Sequence, residues 1–307
     1  MSGTTQSLPG GLERVWGSVR ERSRSKRAFL LMLPLVAFEL LIFLAPFLIL
    51  LRISFAEGAS ASAFAEGTWS LDAYAGVFTS ELFRSIVVYS FGMGFAVTAI
   101  TVAIGLLYAY AIWRAEGLLE SALLFSVVLP LLTTLVIKTY AFVPLLAPSG
   151  TLNDVLTSLN LISSPIQIVP GTAGVVVGQV YIVLPYAVLA IYSVLATMDW
   201  GIVEAARDLG ASRPRSFLEV VVPQAMPGVI VGAVVSFAWS VGAYAAPALL
   251  GGGGDQTFAI QVEQQMLTGF RWPTATALSV VMILAMLASV VLLFTTLDRF
   301  GGEFEYA

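Results

Sequence analysis

The sequence predicts an all-α polytopic membrane protein with six transmembrane helices. Three observations predict it. Of the 307 residues, 58% are apolar and 11% carry charge, whereas soluble domains average about 25% charge. Mean hydropathy is +0.90. Six runs stay apolar over the roughly 20 residues that cross about 30 Å of hydrocarbon. Helices satisfy their own backbone groups in lipid, so each run reads as a helix.

The elements follow in order. A basic tail, 1–27, holds Arg14, Arg20, Arg22, Arg24, Lys26 and Arg27. The spans are then Ala28–Leu51, Ile86–Trp113, Leu118–Leu146, Ala173–Thr197, Gly228–Leu250 and Ala275–Leu297. The first (28–51 as a domain) resembles a signal peptide in its flanks, with Ala59-Ser60-Ala61 beyond it. Its apolar run exceeds an h-region of about 7–15 residues, so it reads as a retained span. A loop over 52–83 separates it from the main helical domain, 84–298, and 299–307 forms a second tail. Pro130, Pro144 and Pro185 remove backbone donors and predict kinks. Gly174/Gly178 and Gly228/Gly232 are G-x-x-x-G pairs that let helices approach closely.

Basic residues orient the chain. The amino-terminal tail, Arg114, Arg207, Arg213, Arg215 and Arg299 place eleven on one side, and Arg52, Arg84 and Arg271 place three on the other. Both termini are therefore expected in the cytoplasm. The absences exclude much chemistry. There is no His and no Cys, which removes disulfides, thiol or Ser-His catalysis and Cys/His metal sites. No G-x-x-x-x-G-K-[ST] loop is present, so no P-loop is expected here. A net charge of −4 gives no reason to expect nucleic acid. No catalytic residue, cofactor or metal is expected.

The loop between the fourth and fifth spans, 198–227, is the unusual one. Ile202, Val203, Ala206 and Leu209 fall at helical spacing, with Glu204, Arg207 and Asp208 on the polar side. Gly210 stops that helix. A second short amphipathic piece, Ser216 to Val222, leads to Pro223 and Pro227. Such an element is either a knob offered to a partner or an interfacial helix resting on lipid.

Glu204-Ala205-Ala206, Gly210, Val220, Val222 and Pro223 resemble the EAA motif, E-A-A-x3-G-x9-I-x-L-P, with Val at two apolar positions. That motif marks the membrane subunits of binding-protein-dependent ABC importers. Further segments resemble the spermidine/putrescine permease branch: Ser70-Leu71-Asp72-Ala73-Tyr74, Gly150-Thr151-Leu152-Asn153 with Leu161-Ile162, Tyr181 to Tyr186, and Trp272-Pro273 with Ala277. Ala73 replaces the branch's Asn, and Arg271 its usual Asn or acidic residue. The resemblance runs from about Phe47 to Leu297. It implies an ABC importer type I permease fold, with 84–298 as the ABC transmembrane type-1 domain. It implies that Glu204, Ala205, Ala206, Gly210 and Pro223 couple to ATPase subunits. It also implies a second homologous permease and an external substrate-binding protein as partners, with ATP hydrolysis on a separate chain.

Inside the spans, Glu39 is an acidic wall on a cation's route or a neutral buried group, because a bare mid-bilayer charge costs about 2.5–3.5 kcal/mol or more. Lys138, beside Tyr140, snorkels outward as an anchor or stands near the path as a gate. Tyr181, Tyr186, Trp239 and Tyr244 form a cation–π surface or ordinary packing. Tyr140, Tyr181, Tyr186 and Tyr244 join Glu39 and Lys138 as translocation-path candidates. Asp72, Asp154, Asp255 and Glu263 are external, either solvated or touching a binding protein. The favoured reading is a polyamine importer subunit in the cell membrane. The alternatives are the same machine carrying an opine, a phosphonate or iron, an ion-coupled secondary transporter, and an intramembrane enzyme. The last two are opposed by the lack of visible inverted repeats and of His, Cys and paired intramembrane Asp.

Overall fold

The computed structural model describes residues 32–59 and 62–301, with side chains to 296. The basic tail 1–27, the start of the first span, Ser60-Ala61 of the loop that follows it and most of the tail 299–307 lie outside the described residues. The chain divides into two compact units at Ile53/Ser54. Among the described residues all regular structure is helical. Six helices are long and apolar enough to cross a membrane.

The first unit holds helix α1, Met32–Ile53. A π-turn occupies Leu40–Leu44, just ahead of Pro46, whose missing N–H cannot continue an ordinary ladder. Glu39 enters that turn with its side chain exposed, as are most of the large apolar residues of α1.

The second unit is built on three helices: α3 (Glu81–Arg114), α8 (Thr172–Leu195) and α10 (Arg213–Val241), all in mutual contact. Gly228 and Gly232 let α10 lie directly on α8. A Cβ at Gly228 would stand 2.6 Å from the Ala190 carbonyl oxygen, and one at Gly232 would stand 3.2 Å from Ala187 Cα. The second pair, Gly174/Gly178, admits Val169 and Leu250 instead. Both G-x-x-x-G pairs thus sit at close contacts. Around this core are α2 (Asp72–Thr79), α4 (Leu118–Val128), α5 (Leu135–Tyr140), α6 (Phe142–Leu146) and α7 (Thr151–Ser158). Beyond α10 come α11 (Ala245–Leu250), α12 (Phe258–Glu263) and α13 (Trp272–Gly301). Leu118, Leu132, Val136, Leu284 and Val291 keep large apolar surfaces exposed, which suits a hydrocarbon solvent and not water.

Two expected spans are corrected. Leu118–Leu146 is not one helix. After α4, a 3-10 turn at Leu129–Leu132 contains Pro130, and Thr133 and Thr134 are extended. The helix restarts at Leu135, and the stretch of spanning length is Leu135–Ser158. The fifth span is not Gly228–Leu250. It begins at Arg213, ends at Val241, and breaks before α11. Ala243 lies in the break, before the Tyr244 cap of α11, so its carbonyl has no helical donor. The Thr257 hydroxyl donates to that carbonyl instead, at 3.1 Å. The break is therefore satisfied from another loop, as buried backbone requires. The piece Ser216–Val222 is likewise no separate helix, since it is the first turns of α10.

At the end of the unit where α3 and α8 begin, Asp255 is 4% exposed. Its carboxylate accepts from Tyr89 Oη at 2.6 Å, Thr172 Oγ1 at 2.5 Å and Gly252 N at 2.6 Å. Asp255 is thus a buried tie between α3, α8 and the 251–257 turn, not a solvated carboxylate. Asn153, from the Gly-Thr-Leu-Asn segment, is also buried and bonds Ala147 O, Ile166 O and Ile166 N. The Ser70–Tyr74 and Trp272-Pro273 segments meet as well. Asp72, Phe270, Arg271 and Pro273 line one crevice of about 670 Å³ together with Glu57.

Candidate functional site

The opposite, basic end carries the loop singled out in the sequence. Helix α9, Trp200–Asp208, starts under an Asp199 cap whose Oδ1 accepts from Gly201 N at 2.9 Å. It stops in a Schellman turn. Gly210 N donates to Arg207 O, Ala211 N donates to Ala206 O, and Gly210 has φ +94°. Only glycine enters that region without strain. Val203 is fully buried in one apolar cluster with Ile112, Val188, Leu195 and Val221. Ile202, Glu204, Ala205 and Gly210 face outward, and Leu209 is 90% exposed at the tip. Ala206 is half-buried beneath them.

Glu204 pairs with no basic group among the described residues. Its Oε1 accepts from the Trp200 indole N–H at 3.1 Å. The Trp200 ring meets Trp113 edge-on at 5.0 Å. The Arg114 and Arg207 guanidiniums lie 5.2 and 5.3 Å from its centroid. Arg207 Nε donates to Ser216 Oγ at 3.2 Å, and Ser216 Oγ donates to Arg213 O, which closes the turn between α9 and α10. Pro223 follows a π-turn at Phe217–Val221, where Val222 N reaches back to Phe217 O. That wider turn makes room for the donorless ring at Pro223. Trp200, Arg207, Arg114 and Ser216 carried no motif signal. The Asp199-Trp200-Gly201 start and the basic turn at Arg114 were the visible hints.

The path candidates are not gathered into one enclosed site. Lys138 does not snorkel. It is 8% exposed, with Nζ 3.5 Å from the Pro130 carbonyl beside the break in the third span. Burying the ammonium there aligns it with a backbone acceptor that the broken helix offers. Tyr140 and Tyr244 are exposed, Tyr181 packs edge-on against Phe142, and Tyr186 stacks on Trp239 at 5.4 Å. Both rings of that last pair keep over a third of their surface open. Glu39 belongs to the other unit.

The described residues thus form a multi-helix core of membrane-spanning length with a capped, exposed helical knob at one end. The model of the family described as binding-protein-dependent transport system inner membrane component matches residues 101–300, and the chain belongs to that family. It is 32% identical to the spermidine/putrescine transport system permease protein PotB of Haemophilus influenzae over 249 residues, 80% of this chain and 86% of that protein. It is 29% identical to PotB of Escherichia coli over 252 residues, 82% of this chain and 91% of that protein. A trehalose transport system permease protein, SugB of Mycobacterium tuberculosis, is 28% identical over 180 residues, 56% of this chain and 58% of that protein. Among solved structures, a bacterial ABC transporter that imports the acidic polysaccharide alginate has a chain with a TM-score of 0.75 and 18% identity. The match covers 93% of this chain and 99% of that chain. It shows the shared fold. The protein is therefore a multi-pass inner-membrane permease subunit of an ABC importer, and not itself an ATPase.

Proposed function

We propose that this subunit translocates a polyamine, spermidine or putrescine, handed over by an external binding protein. The observation that carries the proposal is the similarity to polyamine permeases over four fifths of the chain. ATP is hydrolysed on separate subunits, and a second permease completes the path. The basic end faces the cytoplasm, in keeping with the arginine count. There α9 docks on an ATPase subunit: Leu209 and Ala205 fit a cleft, Gly210 sets the turn, Glu204 and Ala206 hold its two faces, and Pro223 lies within the helix that responds. Tyr140, Tyr181, Tyr186 and Tyr244 offer open aromatic faces that attract ammonium groups. Glu39, in the first unit, is by itself the acidic candidate for a cation's route, and Lys138 anchors the break in the third span.

The test is uptake by the complete importer in proteoliposomes with its own binding protein and ATPases. ATP-dependent uptake of labelled spermidine or putrescine is expected. A complex that takes up a sugar such as trehalose, and neither polyamine, would overturn the substrate assignment.

A further inference from the structure

We propose that Trp200 is a positioning residue that locks the coupling helix to the end of α3, so that movement of the knob reaches a helix it is not joined to in sequence. This deepens the coupling role proposed above and rests on it. Helix α9 is joined covalently only to α8, through 196–199, and to α10, through the Gly210 turn. A chain connection pulls on those two helices alone. α3 ends at Arg114, more than eighty positions earlier, and its response depends on contacts across space.

Beside the burial of Val203 in one cluster with Ile112, Trp200 supplies the aromatic and charged ones. Its ring meets Trp113 at 5.0 Å, and Trp113 packs on Tyr110, which in turn meets Phe217 of α10 at 4.8 Å. The same ring lies beside the guanidiniums of Arg114 and Arg207, at 5.2 and 5.3 Å. Neither arginine has a carboxylate partner among the described residues. Two like charges would drive α3 and α9 apart. The indole face attracts both, and its attraction is largest for Trp among the aromatic residues. The indole N–H holds the Glu204 carboxylate at 3.1 Å, so one side chain fixes the first EAA residue and grips α3. The arrangement makes α9 and the end of α3 a single rigid piece.

The experiment uses the complete importer. The chain has no Cys, so Glu116→Cys and Asp208→Cys place spin labels at two exposed positions, on the turn after α3 and on α9. With Trp200 in place, the label distance is expected to stay constant between ATP-free and ATP-bound states. A change of several ångströms would overturn the proposal without any substitution at Trp200. In Trp200→Leu, the distance is expected to broaden and to shift with ATP, and substrate moved per ATP hydrolysed falls by about tenfold. Trp200→Phe, which keeps a ring but not the N–H, restores most of that ratio. If Trp200→Leu transports with an unchanged ratio, the clamp is wrong. Leu209→Asp separates this from the coupling role itself. If Leu209→Asp uncouples transport and Trp200→Leu does not, only the clamp fails; if neither does, both fail.

Discussion

Tyr89 donates a 2.6 Å hydrogen bond to the Asp255 carboxylate across 166 positions of sequence. Burial by itself would raise that carboxyl. The donors Thr172, Tyr89 and Gly252 N outweigh burial and hold it below the ordinary aspartate value. A depressed folded value means that the tie stabilises the fold above the ordinary aspartate range. That contribution is lost as pH falls through the depressed value. The stability difference between wild type and Asp255→Asn is therefore expected to be flat from about pH 5 to 8 and to shrink below about pH 4. Thermal unfolding of the purified complex across pH reads it. Tyr89→Phe removes one donor to a charged acceptor and is expected to cost about 1.5–3 kcal/mol.

Gly228→Leu is expected to disrupt the core. Even a Cβ there would stand 2.6 Å from the Ala190 carbonyl and 2.7 Å from Ile191 Cα, and backbone cannot swing aside as a side-chain tip can. Forcing atoms into such a contact costs about 1–3 kcal/mol or more. Gly76→Leu, at a site with nothing near its Cβ, serves as the control. Melting temperature and yield of the two variants should separate clearly.

Gly210→Ala is expected to strain the Schellman turn by about 1–2 kcal/mol, because φ is +94°. The strain falls on the knob and not on the core. Uptake should fall more than thermal stability does. A variant with normal uptake per ATP would count against the docking role of this turn.

Asn153→Ala is expected to leave the Ile166 amide and the Ala147 and Ile166 carbonyls without their present partner. Each of these part-buried hydrogen bonds is worth about 0.5–1.5 kcal/mol. Faster proteolysis between 147 and 170 in membranes would show the loosened loop.

Glu39→Gln tests the acidic group of α1. If Glu39 lies on the cation's route, polyamine uptake falls while the uncoupled ATPase rate holds. Unchanged uptake and preference would remove it from the path.

Much of this was legible in the sequence because it depends on local chemistry. Gly210 marks the end of α9 through its own backbone freedom. Gly228 and Gly232 announce close contact by spacing. The six apolar runs follow from hydrocarbon thickness. What was hidden depends on partners far along the chain. The ends of the third and fifth spans could not be read, because Thr133 and Thr134 stay apolar enough to continue a run. The Ala243 carbonyl left free at the break is satisfied by Thr257. Asp255 looks like a surface carboxylate until Tyr89 and Thr172 are brought to it. Lys138 looks free to snorkel until the broken helix supplies an acceptor. Trp200 has no spacing rule at all, since its contacts come from Trp113 and Arg114 on another helix.

The Ala243–Thr257 relationship reaches into how this protein can vary. Between Gly242 and α11 the Ala243 carbonyl lies outside both helices, and the hydroxyl at 257 is its donor. A substitution at 257 that removes the hydroxyl has to recruit water or a new side chain for the same oxygen. Serine keeps a donor there, and valine, close to threonine in shape, does not.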